Sequence, residues 1–271
     1  MLVALLAAVS MTAAASGEIP IEHRGAARSY LIHLPNDREP AAPAALVVVL
    51  HGLGADASTA PRMSGMDAKA DREGFIALYP NGRSLSWNAW RCCGVAEVKQ
   101  FDDVGFIRAV VEKVAREHAV DRKRIYATGI SNGAMMAYRL GCEAADVFAA
   151  IAPVAGAMLT NDCRPSTALS VVVFHGMADD VVPFDGGNLS TSFPRIDASV
   201  PFAVEFWTRH DDCERTPAQD KRGPVRHERY VCPGGRAVEL YAIDGVGHAW
   251  PRGDVSATDL MWDFFAAHPK P

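Results

Sequence analysis

Gly129-Ile130-Ser131-Asn132-Gly133 sets a serine between two glycines, each two residues away, within the stretch YATGISNGAMMAY. A nucleophilic serine needs a sharp strand-to-helix turn that lifts Oγ above a sheet edge, and glycines at those positions leave room for it. Glycine and serine are also common in ordinary turns, so the pentapeptide alone decides nothing. Its flanks do more: RIYAT before it reads as a strand, and the Ala/Met-rich stretch after it reads as a helix. Such a serine needs a base to take its proton and a carboxylate to orient that base. VVVFHGMADDVVPF puts Asp179 and Asp180 just past another apolar run, and AIDGVGHAWP puts His248 in a glycine-rich loop past the last one. Taken singly, each reads equally well as a turn or cap residue. In the order serine, acid, histidine, each at the end of a predicted strand, they suit acyl transfer through a serine nucleophile.

The other histidines compete poorly for the role of base. His23 and His33 precede the strands in question, His118, His210 and His268 flank polar helix ends, and His227 lies in a charged stretch. His175 precedes the candidate aspartates and reads as a structural residue beneath their loop. Acyl transfer also needs two N–H groups facing the developing oxyanion; losing one such donor costs on the order of 10²–10³ in rate. The residue after the nucleophile, Asn132, supplies the first. The glycine-rich turn VVVLHGLGAD at 47–56 supplies the second, with the Leu53 amide favoured and Gly52 or Gly54 as rivals.

The elements that must carry these residues are legible as apolar runs. ALVVVLHG (45–52), GFIALYPNG (74–82), RIYATGIS (124–131), FAAIAPVAG (148–156), ALSVVVFHG (168–176) and AVELYAIDG (237–245) are nearly continuous in apolar residues. That pattern suits strands buried on both faces of a mostly parallel sheet. Helical spacing fills the intervals. Residues 102–120 place Phe106, Val110, Val111 and Val114 on one side; 132–142, 200–210 and 257–268 also read as helices, the last with Leu260, Trp262, Phe264 and Phe265 inward. Strand and helix in alternation predict one α/β domain with helices on both faces of the sheet.

The chain has 271 residues, 49% of them hydrophobic, and a formal net charge of −5 with its basic residues scattered. No basic block or stripe points to nucleic acid. LVALLAAVSMTAAA, Leu2 to Ala15, is uncharged and ends in small residues. It falls short of the roughly 20 apolar residues that span a bilayer. It resembles the apolar part of a signal peptide cleaved near Ala13–Ala15, although no Lys or Arg precedes it. The expectation is a signal peptide over 1–16, a catalytic domain over 17–271, and a secreted or periplasmic protein; a buried N-terminal helix is the alternative. Six cysteines in an exported chain suggest disulfides. Local sequence favours Cys142 with Cys163 and Cys213 with Cys232, leaving Cys92-Cys93 as a vicinal bridge or two buried thiols. Zinc lacks a second C-x-x-C and a histidine at ligand spacing.

The set RSYLIHLP, LVVVLHG, YPNG, WNAWRCCG, DDVGFI, RIYATGISNGAMMAYRLGCE, AAIAPVAG, HGMADDVVPF and GVGHAWP resembles, in this order, the secreted polyhydroxybutyrate-depolymerase-type esterases, close to the feruloyl and acetylxylan esterases of carbohydrate esterase family 1. The resemblance runs from about Arg28 to the last helix. It implies an α/β-hydrolase fold, and its spacing from the His-Gly pair to the acid selects Asp179 over Asp180. It also supports Ser131 and His248. Two departures bear on the substrate: Val246 and Ala249 replace glycine and threonine around the histidine, and Trp90-Arg91 replaces a small residue before the cysteine pair.

These readings converge on a serine carboxylic-ester hydrolase working through an acyl-enzyme, with no metal or organic cofactor. The expected partner is a small or oligomeric ester: a feruloylated or acetylated saccharide, or a hydroxyalkanoate oligomer. Trp87, Trp90 and Trp250 are expected either to wall the substrate cleft or to pack the core. The loop at 183–201 either borders the site or is a passive surface segment. A serine peptidase of the prolyl-oligopeptidase kind and a non-catalytic sugar- or polymer-binding relative are the rival readings.

Overall fold

A strand that sits between two layers of helices must be apolar at both odd and even positions, because successive side chains point to opposite faces. The computed structural model describes residues 17–36, 39, 41–160, 162–187 and 197–271, and its sheet shows this division. Ten strands form one sheet: β1 (Ile19–His23), β2 (Ala26–His33), β3 (Ala44–Leu50), β4 (Ile76–Pro80), β5 (Val120–Ile130), β6 (Ala150–Val154), β7 (Ser170–Gly176), β8 (Ala218–Arg222), β9 (Val225–Cys232) and β10 (Arg236–Ile243). Their spatial order is β1-β2-β4-β3-β5-β6-β7-β10-β9-β8. From β4 through β10 the neighbours are parallel. Antiparallel pairs extend both edges, β1-β2 on one side and β9-β8 on the other.

The helices are α1 (Ala60–Ser64), α2 (Met66–Glu73), α3 (Gly94–Val98), α4 (Asp103–Glu117), α5 (Asn132–Glu143), α6 (Val200–His210) and α7 (Ala257–Ala267). They divide the core in two. Leu46, Val48 and Leu50 of β3 pack with Phe106, Val110 and Val114 of α4, Met136 and Leu140 of α5, and Trp207 of α6. Val47 and Val49, the alternate residues of the same strand, pack with Met66 of α2 and Met261 and Phe265 of α7. Trp262 and Phe265 stack on Phe75 and Tyr126 at ring separations of 4.3 and 4.5 Å. The mostly parallel sheet with helices on both faces is the architecture expected from the apolar runs, and it agrees with the α/β-hydrolase fold that the resemblance implies.

Caps set the long helix. The Asp102 side chain accepts the Gly105 N–H at 3.1 Å, occupying one of the N–H groups that a helix start leaves without a partner. Cys142 is bonded to Cys163 and Cys213 to Cys232, and the open alternative at Cys92-Cys93 resolves as a bridge. The signal peptide over 1–16 and residues 188–196 of the loop at 183–201 lie outside the described residues. Among the described residues, no helix is long and apolar enough to cross a membrane.

Candidate active site

Ser131 joins β5 to α5 with φ 57° and ψ −122°, a conformation that L residues rarely adopt. Its neighbours explain the flanking glycines. A Cβ on Gly129 would stand 2.7 Å from the Leu50 carbonyl oxygen, and one on Gly133 would strike the carbonyl oxygens of Leu50 and His51. The turn is thus pressed onto the end of β3. The Ser131 amide donates to the Val154 carbonyl at 3.0 Å, and its carbonyl accepts the Met135 N–H at 2.9 Å. The backbone is held at both ends while the residue lines a surface cleft.

Asp179 and His248 come from the loops after β7 and β10, which are adjacent parallel strands. Gly176 lets those loops touch, since a Cβ there would run into the Val246 and Gly247 carbonyls. His248 Nδ1 lies 2.8 Å from Asp179 Oδ2, and Asp179 Oδ1 accepts the Val181 and Val182 amides at 2.9 and 2.8 Å. Burial by itself raises the pKa of this carboxyl. Hydrogen bonds from His175, His248 and the Val182 amide outweigh that effect and hold it well below the usual carboxylate range. An ionised Asp179 takes the Nδ1 proton of His248 as a hydrogen bond, which leaves Nε2 as the basic nitrogen. Asp180 is exposed, so the structure separates the two candidate acids by burial.

Ser131 and His248 line the same cleft of about 290 Å³, with His51, Gly52, Leu53, Ala55, Thr59, Met63 and Ile130 as its other walls. Among the described residues no hydrogen bond joins the Ser131 hydroxyl to the imidazole; such contacts are commonly loose before substrate is bound. A larger cavity of about 760 Å³ lies between β9, β10 and the segment leading into α7, lined in part by Asp220, His227 and Tyr241. None of Ser131, Asp179 or His248 lines it, so volume does not mark the reactive site.

The two expected oxyanion donors occupy distinct settings. Asn132 starts α5, where the first N–H groups have no intrahelical acceptor. The Leu53 N–H has no acceptor among the described residues, whereas the rival Gly54 amide donates to the Leu85 carbonyl at 2.8 Å and is occupied.

The three tryptophans are corrected as cleft walls. Trp87 is fully buried, with its indole N–H on the His51 carbonyl at 3.0 Å. Trp250 is buried in the second core, with Nε1 on Thr258 Oγ1 at 2.9 Å. Trp90 is half-buried but lines a different cavity beside Cys142, Cys163 and Arg164, with its indole N–H on Glu143 at 3.0 Å. Large rings gain most from complete burial, and packing claimed Trp87 and Trp250.

Two histidines gain roles that sequence reasoning missed or left as scaffolding. His51 is buried, packed 4.9 Å from the Trp87 ring and bonded on both ring nitrogens. His175 donates from Nε2 to the Val182 carbonyl at 2.8 Å, with Asp179 Oδ2 3.4 Å away. The signal for both was a His-Gly pair ending an apolar strand, His51-Gly52 and His175-Gly176.

Fold and site together define a carboxylic ester hydrolase of the α/β-hydrolase class. The model of the family Esterase PHB depolymerase matches residues 28–204, and the chain belongs to that family. Its relatives include NocK of Nocardia uniformis subsp. tsuyamanensis, a protein named as an esterase. That relative is 33% identical over 254 residues, covering 84% of this chain and 72% of the relative. Feruloyl esterase B of Piromyces equi is 29% identical over 88% of this chain, which spans 44% of that longer protein. The solved acetyl xylan esterase from Aspergillus awamori shares the fold with a TM-score of 0.66 at 16% identity, covering 89% of this chain and 94% of that one.

Proposed function

We propose that the protein is an exported serine esterase in which Ser131, His248 and Asp179 act as nucleophile, base and orienting carboxylate. The observation that carries the reading is the 2.8 Å link from His248 Nδ1 to the buried Asp179, beside a serine held at φ 57° in the same cleft. Ser131 Oγ attacks the ester carbonyl as its proton passes to His248 Nε2. The tetrahedral oxyanion is received by the Leu53 and Asn132 amides. The C–O bond to the leaving alcohol then breaks as His248 returns the proton to that oxygen. A water, deprotonated by the same nitrogen, hydrolyses the acyl-enzyme and regenerates the serine.

The cleft favours a small aliphatic acyl group. Leu53, Ala55, Met63 and Ile130 line it, and among the described residues the only rings on its walls are the imidazoles of His51 and His248. The names of the relatives span feruloyl and acetyl xylan esterases, and the family model is that of PHB depolymerase; an apolar cleft of this size, with no stacking ring among its described residues, suits acetyl and short hydroxyalkanoate esters. Export is supported by three disulfides, which persist in oxidising compartments, and by the apolar N-terminal run.

Labelling with a fluorophosphonate, followed by peptide mass analysis, tests the reading. Modification of Ser131 that vanishes in Ser131→Ala is the expected result, and a folded protein that stays unlabelled overturns it. Hydrolysis of p-nitrophenyl butyrate well above that of methyl ferulate is the expected substrate order.

A further inference from the structure

We infer that His51 is a positioning residue of the oxyanion hole, acting through the Gly52–Leu53 peptide. The inference rests on the proposed role of the Leu53 amide. Its starting point is the tautomer of a buried ring. The Gly82 N–H donates to His51 Nε2 at 2.9 Å, so Nε2 carries no proton. The ring proton therefore sits on Nδ1, which donates to the Gly52 carbonyl at 2.8 Å. Only the neutral imidazole with this tautomer makes both bonds. Burial, the largest influence on the ring, lowers its pKa and keeps it neutral.

The consequence lies one bond further on. In a trans peptide the C=O and the following N–H point in opposite directions. Holding the Gly52 oxygen against His51 turns the Leu53 N–H the other way. The Ala55 amide, 3.3 Å from the same oxygen, reinforces that orientation. The peptide lies beside the nucleophile: a Cβ built on Gly52 would sit 3.6 Å from Ser131 Cβ, and Gly52 and Leu53 line the cleft with Ser131. The Leu53 N–H has no acceptor among the described residues, as a preorganised donor awaiting an oxyanion requires.

His51 is itself held from both sides. The Trp87 indole donates to its carbonyl. Gly82 has no side chain where one would intrude, since a Cβ there would lie 2.6 Å from the Ser86 carbonyl oxygen and 2.9 Å from Nε2. Gly82 has φ −66° and ψ 128°, which any residue adopts, so the glycine is needed for space and not for conformation.

Two isosteres separate this role from a purely structural one. In His51→Asn the side-chain nitrogen takes the place of Nδ1 and keeps the bond to Gly52. In His51→Gln the polar end reaches the place of Nε2 and serves Gly82 instead. With p-nitrophenyl butyrate, His51→Asn is expected to retain kcat within about 5-fold. His51→Gln and His51→Ala are expected to lose about 10- to 100-fold in kcat with KM little changed, somewhat less than outright removal of an oxyanion donor. Melting temperatures are read in parallel. Should an imidazole variant fail to fold, Gly82→Ala, whose Cβ would meet the His51 ring at 2.9 Å and the Ser86 carbonyl at 2.6 Å, is expected to reproduce the kcat loss. Equal losses in His51→Asn and His51→Gln, a loss confined to KM, or a kcat that follows melting temperature overturns the inference. Failure of the wild type to label at Ser131 instead removes the underlying esterase mechanism, and this inference with it.

Discussion

The Asn132 side chain clamps the backbone of Trp87 from both directions. Its Oδ1 accepts the Trp87 N–H at 2.7 Å, and its Nδ2 donates to the Trp87 carbonyl at 3.0 Å. The residue that follows the nucleophile therefore also anchors the loop between β4 and α3. Asn132→Ala leaves the buried Trp87 N–H without a partner, at a cost of about 1–3 kcal/mol, while the Trp87 carbonyl keeps the Ala89 and Cys93 amides. A loss of roughly 1–3 kcal/mol in denaturant unfolding is expected. Asn132→Asp is expected to be no better, because a carboxylate has no N–H for the carbonyl and carries a buried charge.

Asp179→Asn tests the carboxylate without removing its volume. The amide lacks the charge that fixes the His248 tautomer and stabilises the imidazolium. A fall in kcat on the order of 10³–10⁴ is expected, with a melting transition that remains cooperative. Steady-state kinetics on a chromogenic short-chain ester measures it. A loss below about 10-fold would mean that His248 is oriented by other groups.

The tryptophans separate core from surface. Trp87→Ala empties a fully buried site and is expected to cost about 3–5 kcal/mol. Trp90→Ala touches a cavity beside the Cys142–Cys163 bridge, away from the cleft with Ser131. Its kcat/KM on soluble esters is expected to stay within about 2-fold of wild type, a change worth under 1 kcal/mol. A larger drop would return Trp90 to the substrate path.

Asp211 predicts a pH dependence of stability. Burial pushes its carboxyl up to about 6, against the opposing hydrogen bond and charge of His210 and the charge of Arg236. A carboxyl whose folded pKa exceeds its unfolded value holds a proton that the unfolded chain has already released. Its contribution is complete below the unfolded value near 4 and is lost as pH rises through about 6. Asp211→Asn removes this titration. Measured by urea unfolding, the stability of the variant relative to wild type is expected to rise from pH 4 to pH 7. A flat difference across that range would show that the carboxyl titrates normally.

Much of the architecture was legible because burial writes itself into composition. The central parallel strands carry nearly continuous apolar runs, and α4, α5, α6 and α7 carry helical spacing over 11 residues or more. The short α1, α2 and α3 did not announce themselves, and the edge hairpin was marked only by its flanking cysteines, Cys213 and Cys232. β8 is exposed throughout and β9 mostly half-buried, so neither shows the pattern that burial imposes. Their charged residues read equally well as a solvated loop.

The sequence by itself determined the order of the reactive residues, the glycines around Ser131 and the apolar runs that build the sheet, because these follow from local sterics and from burial on two faces. Only the tertiary structure decided which aspartate is buried, that Trp87 and Trp250 belong to the core, and that His51 reaches Gly82 across 31 positions of chain. Those outcomes depend on which distant backbone groups fill the space beside a side chain. Long-range packing creates that competition, and no local pattern encodes its winner.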